Sequence, residues 1–289
     1  MPDFWTHILA GERVIDKLED KKFQEIIKDN IKVFNLGCQG PDFFFYHQFW
    51  PWIKNKKGPA TGADLHLKKV DQFLITGVDY LKDLSCKADF PLLGSYLAGL
   101  ITHLSLDKWL HPLINSRTSN SLEHKWFEIQ LDTYLMARLK GQRADRLYSR
   151  EAIEVGPNLP GEIEAFYHYI LKKVYGYRMA DEDLAGFING AYRDMKRVQR
   201  IFYSPRYLKK MLLKVLNWLL PLDITIYSYP EKVQSGFLEN EEKEEVMTGF
   251  EKGVDEAAEF IDVVCQYING RLNQEEVKSF LLPLVQVEG

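Results

Sequence analysis

The chain has little cysteine: three residues in 289, at Cys38, Cys86 and Cys265. They are scattered and none forms a C-x-x-C pair, which argues against a disulfide framework and against a thiolate metal site. Long apolar runs are also missing. The stretch from Phe90 to Leu106 is too short and too interrupted by Gly and Ser to span a bilayer, which needs about 20 apolar residues. An excess of positive charge is absent too. The net charge of −4 and pI near 6.0 argue against a general nucleic-acid binder, which is usually basic. No basic stretch followed by an apolar run opens the sequence, so no secretory signal is visible. The expectation is a soluble, cytoplasmic protein, with peripheral membrane contact as an option. Alternating strand patterns, internal repeats and low-complexity tracts are missing as well.

What the sequence does have is helical periodicity. Apolar residues recur at spacings of three and four over Thr6–Leu18, with Ile8, Leu9, Val14, Ile15 and Leu18 on one stripe. Similar patterns predict helices over 23–34, 64–83, 90–114, 122–139, 161–175, 181–202, 204–220, 241–269 and 274–282. Gly37-Cys-Gln-Gly40-Pro41-Asp42 reads as a turn, and residues 54–62 as a polar loop containing Gly58, Pro59 and Gly62. A short extended piece is expected at 227–230. The fold class is all-α, a single-domain multi-helix bundle. The turn-rich stretch 141–160 is the best internal boundary. It separates a metal-binding core over 1–140 from a helical C-terminal part over 141–289, which is expected to pack into the same bundle.

Three of the seven histidines fall in a short central stretch together with carboxylates at helical spacing. His103, Asp107 and His111 are each four residues apart, and so are His124 and Glu128. Residues four apart share a helix face, so each set projects from one stripe, and Asp132 extends the second. A lone histidine on an apolar helix is more often a satisfied core residue than a ligand. Here two histidines and an aspartate share a helix that is otherwise apolar, and burying them uncompensated would cost several kcal/mol. A metal ion supplies the compensation. The competing reading is a buried Asp–His hydrogen-bond network. Neutral imidazole with carboxylate is a ligand set for zinc, and it also serves iron or manganese. Two stripes suggest more than one ion, and so hydrolysis rather than a structural site. Asp42, His66 and His7 carry little weight singly. Phe43, Phe44, Phe45, Tyr46 and Trp50 follow Asp42 and read either as packing at the end of the bundle or as the lining of a substrate pocket, with Phe44 and Tyr46 as the candidates. His47 and His168 read as structural.

In this order, the motifs resemble the bacterial zinc-dependent phospholipase C family. The carrying pieces are Trp-Thr-His7, Gly-Pro-Asp42 followed by Phe-Phe-Phe-Tyr-His, Leu-His66, His103-x-x-x-Asp107-x-x-x-His111-Pro and His124-x-x-x-Glu128. They cover about residues 1–140. The same all-helical scaffold occurs in zinc nucleases that cut single strands. The resemblance implies two to three zinc ions at the end of a helical bundle. Asp42, His66, His103 and Asp107 would hold one, His111, His124 and Glu128 a second, and His7 with bridging Asp107 a third. In secreted members the third ion is also held by the amino group of an N-terminal Trp, whereas six residues precede His7 here. The interval from Asp107 to His111 is also tighter than in those enzymes.

The implied activity is metal-dependent hydrolysis of a phosphodiester, most simply a phospholipid, through a metal-activated water. Asp42 is expected to serve both as ligand and as the acceptor of that water's proton. A nuclease or nucleotidase on the same scaffold is the alternative, less favoured by the acidic composition, and a non-catalytic metal-binding or lipid-sensing protein is a third. The basic, amphipathic run from Arg206 to Leu220 reads as a core-packed helix with a solvated edge, or as a surface for an anionic membrane.

Overall fold

Among the described residues the chain is mostly helical. The computed structural model describes residues 4–48, 53–203 and 228–285, with side chains described through residue 281. In chain order the helices are α1 (Phe4–Lys17), α2 (Lys21–Asp29), α3 (Ile31–Gly37), α4 (Lys57–Leu67), α5 (Val70–Lys82), α6 (Phe90–Ser116), α7 (Ser121–Leu135), α8 (Ser149–Ile153), α9 (Gly161–Lys173), α10 (Asp181–Phe202), α11 (Asn240–Ile268) and α12 (Gln274–Val285). A 3-10 turn, Asp42–Tyr46, lies between α3 and α4. Among the described residues there is no strand. The fold is all-α. None of these helices is long and apolar enough to cross a membrane.

The axis of the bundle is α6. It is apolar around its whole circumference, and such a helix belongs in an interior. It is surrounded by α1, α2, α3, α5, α9 and α11. Two glycines let α3 approach closely. A Cβ on Gly37 would stand 2.1 Å from the Tyr96 carbonyl oxygen, and one on Gly99 would stand 2.2 Å from that of Phe34. The backbones of α3 and α6 therefore touch where any larger residue would separate them. One apolar core runs from Phe4 to Leu281, and Ile153 and Leu159 of the 141–160 stretch belong to it.

Four boundaries differ from the periodicity. The expected helix over 23–34 is two, broken at Asn30, whose φ of −115° and ψ of 33° leave the helical region and whose amide caps the Ile26 carbonyl. The expected loop over 54–62 is helical from Lys57. Pro59 sits in the first turn, where a backbone N–H has no partner to lose. Gly58 allows that turn to abut the His47 carbonyl oxygen, 2.3 Å from where a Cβ would be. The expected helix over 64–83 is split by Lys69, which adopts φ 53°, a left-handed conformation that no glycine announces. After α7 the chain widens into a π turn, Met136–Lys140. The expected helix over 204–220 lies outside the described residues, as does Tyr227; 228–230 is not a strand.

Candidate metal centre

Five segments converge near the middle of α6. His103 and Asp107 of that helix are buried, and His111 follows one turn later, half-buried. α1 brings His7, the turn after α3 brings Asp42, the end of α4 brings His66, and α7 brings His124 and Glu128. The spacing of four on α6 and on α7 is what aligns their ligands.

The Asp42 loop depends on a glycine. Gly40 has φ 51°, and a Cβ there would lie 2.3 Å from the His103 ring, so glycine meets both the backbone and the space requirement. The Tyr96 hydroxyl donates to the Gly40 carbonyl at 3.3 Å and pairs with the Tyr167 hydroxyl at 2.7 Å. The start of α1, which carries His7, is held from another helix. Asp132 of α7 caps it: its carboxylate accepts the N–H groups of Trp5 at 2.7 Å and Thr6 at 2.8 Å. It also accepts the hydroxyls of Thr6 and Tyr229. Asp132 therefore caps a neighbouring helix and does not extend the ligand stripe. Nothing in local sequence spacing reveals that role, because its partners lie 126 and 127 residues away.

His7, His103 and Asp107 form one group of converging ligand atoms, and Asp42, His66 and His103 form another. His103 belongs to both. His7 Nε2 lies 3.4 Å from Asp107 Oδ1, and His103 Nε2 lies 3.3 Å from Asp107 Oδ2. His66 Nε2 is 3.1 Å from Asp42 Oδ1 and 3.2 Å from His103 Nε2. Beyond Asp107 the run continues to His111, with Nε2 at 4.0 Å from Oδ1. His124 then follows, its ring centroid 5.8 Å from that of His111 and its Nε2 2.9 Å from Glu128 Oε1. The first five ligands are drawn tightly together, while His111, His124 and Glu128 flank them more loosely.

Second partners fix the tautomers. His103 Nδ1 donates to the Cys38 carbonyl at 3.2 Å and His66 Nδ1 to the Gly62 carbonyl at 2.7 Å. A carbonyl only accepts, so each Nδ1 carries the proton and each Nε2 is the bare, ligating nitrogen, the usual arrangement behind metal-bound histidine. Burial pushes the pKa of His103, and likewise of His111, down to about 4, which keeps both neutral. Burial also opposes charge on His66, but the adjoining Asp42 carboxylate outweighs it and raises that pKa. Burial alone would raise the pKa of Asp107; the imidazoles of His103, His111 and His7 hold it well below the carboxylate range instead.

Zinc fits this arrangement. Both nitrogens of His7, both carboxylate oxygens of Asp107, Asp42 Oδ1 and His111 Nε2 are buried without a hydrogen bond. Leaving such groups unpaired costs several kcal/mol, and divalent cations at these groups would satisfy the carboxylate oxygens and one nitrogen of each imidazole. The donors are imidazole nitrogen and carboxylate oxygen, a zinc set.

A cleft of about 50 Å³ has Lys125 in its wall, and Lys125 Nζ lies 3.6 Å from Glu128 Oε2. Phe4, Tyr46, Lys125, Gln199, Tyr203 and Tyr229 are among its walls. Tyr46 is thus one of the residues that line a cavity. Phe44 does not: it is fully buried, stacked on Phe187 at 5.6 Å and edge-on to Tyr167 at 5.5 Å. Its place as a substrate contact is corrected to core packing, because the 3-10 turn sends neighbouring side chains in different directions. Trp50 lies outside the described residues. His47 donates Nδ1–H to Asp194 at 2.8 Å, tying the Asp42 turn to α10, and His168 pairs with Asp181 at the surface. Lys125 and Tyr229 of the cleft were not singled out by the sequence, since neither stands in a pattern.

An all-helical bundle in which five segments bring histidines and carboxylates together in groups that could hold metal ions is the architecture of a helical metal-binding protein. The zinc-dependent phospholipase C family matches residues 6–200, about two thirds of the chain, and the chain belongs to that family. The match extends well past residue 140, so α8, α9 and most of α10 are part of what the family shares. No curated protein and no solved structure matched the chain.

Proposed function

We propose that this protein hydrolyses the phosphodiester of a phospholipid on the glycerol side, releasing diacylglycerol and the phosphorylated headgroup. The carrying observation is the cluster of buried, hydrogen-bond-orphaned ligand atoms beside a cleft walled by Tyr46, four residues from Asp42, and by Lys125, next to His124. His7, Asp42, His66, His103 and Asp107 would hold zinc in the inner groups, with His111, His124 and Glu128 completing a further site. When bound, zinc supplies Lewis-acid neutralisation of charge on the phosphoryl oxygens and makes a water easier to deprotonate near neutral pH.

The chain's residues do the remainder. Asp42 has the most solvent-accessible side chain among the five inner ligands, 18% against at most 11% for the others. It is the acceptor for the proton of the attacking water. Its orientation comes from Gly40, the Tyr96–Tyr167 pair and the His47–Asp194 link. As the new P–O bond forms, the bond to the glycerol oxygen breaks, and that alkoxide takes up a proton. Tyr46 and the aromatic wall hold the lipid portion that reaches the centre.

The test is diacylglycerol release from defined phospholipids by the zinc-replete protein, beside Asp42→Asn. Activity that falls by about 100-fold or more in the variant supports the assignment. Absence of phosphorylated headgroup from every phospholipid offered, at full zinc occupancy, rejects it.

A further inference from the structure

We propose that His47 is a positioning residue for the metal centre: it moors the Asp42 turn and α4 to α10 as one arm, and so sets Asp42 and His66 against His103. The proposal rests on the zinc assignment above and concerns one of the two inner groups, Asp42 with His66 and His103. His7 and Asp107 of the other group stand on α1 and α6, outside the arm.

The arm is built on α4. Gly58, Gly62 and His66 stand four residues apart, so they share one face of that helix. The Asp42 turn packs against that face. A Cβ on Gly58 would lie 2.3 Å from the His47 carbonyl oxygen and 2.8 Å from that of Phe44, and one on Gly62 would lie 3.0 Å from the Phe45 ring. The Phe45 ring lies 5.3 Å from that of His66, and the Gly62 carbonyl accepts from His66 Nδ1 at 2.7 Å. Two glycines thus bring helix and turn into contact, and His66 Nε2 comes to lie 3.1 Å from Asp42 Oδ1. A displacement of the turn therefore carries both ligands with it.

His47 ends the turn, its N–H donating to the Phe44 carbonyl at 3.1 Å, and its ring reaches across to α10. Nδ1–H donates to Asp194 Oδ2 at 2.8 Å. Asp194 is itself held by Arg197, which donates to Oδ1 at 2.8 Å. An ionised carboxylate as acceptor makes the His47 bond charge-assisted, about twice as strong as a neutral one. Gly190, one turn before Asp194, leaves room for the ring: a Cβ there would lie 3.0 Å from His47 Cε1. Phe187 meets the ring edge-on at 5.2 Å. A leucine would occupy the same space, yet only a donor at the Nδ1 position keeps the bond. Outer partners of this kind fix where a ligand stands without touching the metal.

The experiment measures zinc affinity of the full-length protein, equivalent by equivalent, in competition with a zinc-binding dye, for the wild type, His47→Leu and His47→Asn. His47→Leu keeps the packing and removes the donor. It should weaken one equivalent by roughly 10- to 100-fold, the usual cost of an outer partner, and leave the others as they were. The amide nitrogen of asparagine stands as far along the side chain as Nδ1, so His47→Asn should restore wild-type affinity. Asp194→Ala removes the acceptor from the other side and should reproduce the loss; it carries the decision where His47→Leu does not fold. In a His66→Ala background His47→Leu should change nothing further, whereas in a His7→Ala background it should have its full effect. A merely structural histidine would weaken every equivalent alike or none, and asparagine would not rescue it; either result overturns the proposal. Should the wild type bind no zinc, the zinc assignment fails by itself, and hydrogen exchange in the metal-free protein decides the mooring. Faster exchange in His47→Leu over 42–47 and 57–67, with α1 and α7 unchanged, supports it, and an unaltered pattern overturns it.

Discussion

His66 and His103 each spend Nδ1–H on a main-chain carbonyl, and their bare Nε2 atoms then face each other at 3.2 Å. Two lone pairs so close need a cation or a proton between them. In the metal-free protein, Asp42 raises the pKa of His66 above its ordinary value while burial drives that of His103 down to about 4. The proton therefore resides on His66 and must leave when an ion enters. Zinc binding near pH 6.5 should release more protons than binding at pH 8, and His66→Ala should remove that difference. Zinc titration in lightly buffered indicator dye measures it. Equal release at both pH values would mean that His66 is not displaced. A second residue-scale prediction concerns Asp132, whose two oxygens accept four hydrogen bonds at the start of α1. Asp132→Asn keeps the shape but turns an amide NH2 toward N–H donors. The start of α1 should fray, His7 should lose its position, and zinc affinity should fall by roughly 10- to 100-fold, the usual cost of losing an outer partner of a metal site. Competition against a zinc-binding dye reads the affinity. An unchanged affinity would show that α1 is held well enough by packing alone.

Among the elements, the contact of α3 with α6 governs the site more than any other. Gly37 and Gly99 bring the two backbones together. The very next residue, Cys38, offers the carbonyl that orients His103. Gly99→Ala would place a methyl group 2.2 Å from the Phe34 oxygen, so α3 has to retreat. A loss of roughly 2–4 kcal/mol in unfolding free energy is expected, in the upper range for overpacking against backbone, together with weaker zinc binding as Cys38 moves away. Gly161→Ala, at a helix start with nothing within 4 Å of the new Cβ, serves as the control and should be near neutral in urea titrations. This level of organisation is also where sequence reading stops. The stripe of His103, Asp107 and His111 was legible because one helix turn repeats it, and Asp42 because a Gly-Pro turn precedes it. The helix break at Lys69 was hidden because a lysine, not a glycine, takes the left-handed conformation. That break leaves His66 in the last turn of α4. Asp132 was hidden because its partner is remote in sequence, a cap 126 residues away, and the cleft because its wall is drawn from α1, α7 and α10. Periodicity reports which face of a helix is apolar; it carries no information on which other helix a polar group will reach.

For the molecule as a whole, a charged centre inside a single apolar core couples metal occupancy to folding. Metal that binds only the folded chain stabilises it by about 4 kcal/mol at a thousand times its dissociation constant. For a chain of this size that corresponds to about 10 °C in melting temperature. Chelation should therefore lower the melting temperature by about that amount at pH 7.5. Acid adds to the effect. His103 and His111 have folded-state pKa values near 4, below the ordinary 6.5, so unfolding takes up protons between those values. Their contribution, roughly 3 kcal/mol each on the scale of 1.36 kcal/mol per pKa unit, is present above pH 6.5 and lost as pH falls toward 4. His66 runs the other way. Its raised pKa gives a contribution that is complete below 6.5 and lost as pH rises through the raised value, and it offsets part of the acid loss. With two groups against one, the metal-free protein should melt progressively lower from pH 7 to pH 4. Over the same interval protons compete with zinc for the imidazoles, so the difference between zinc-loaded and chelated melting temperatures should shrink toward zero. Calorimetric scans at pH 7.5 and pH 5, with and without chelator, separate the two effects. If chelation leaves the melting temperature at pH 7.5 untouched, Asp107 and His7 have found partners other than an ion, and the metal centre is rejected with them.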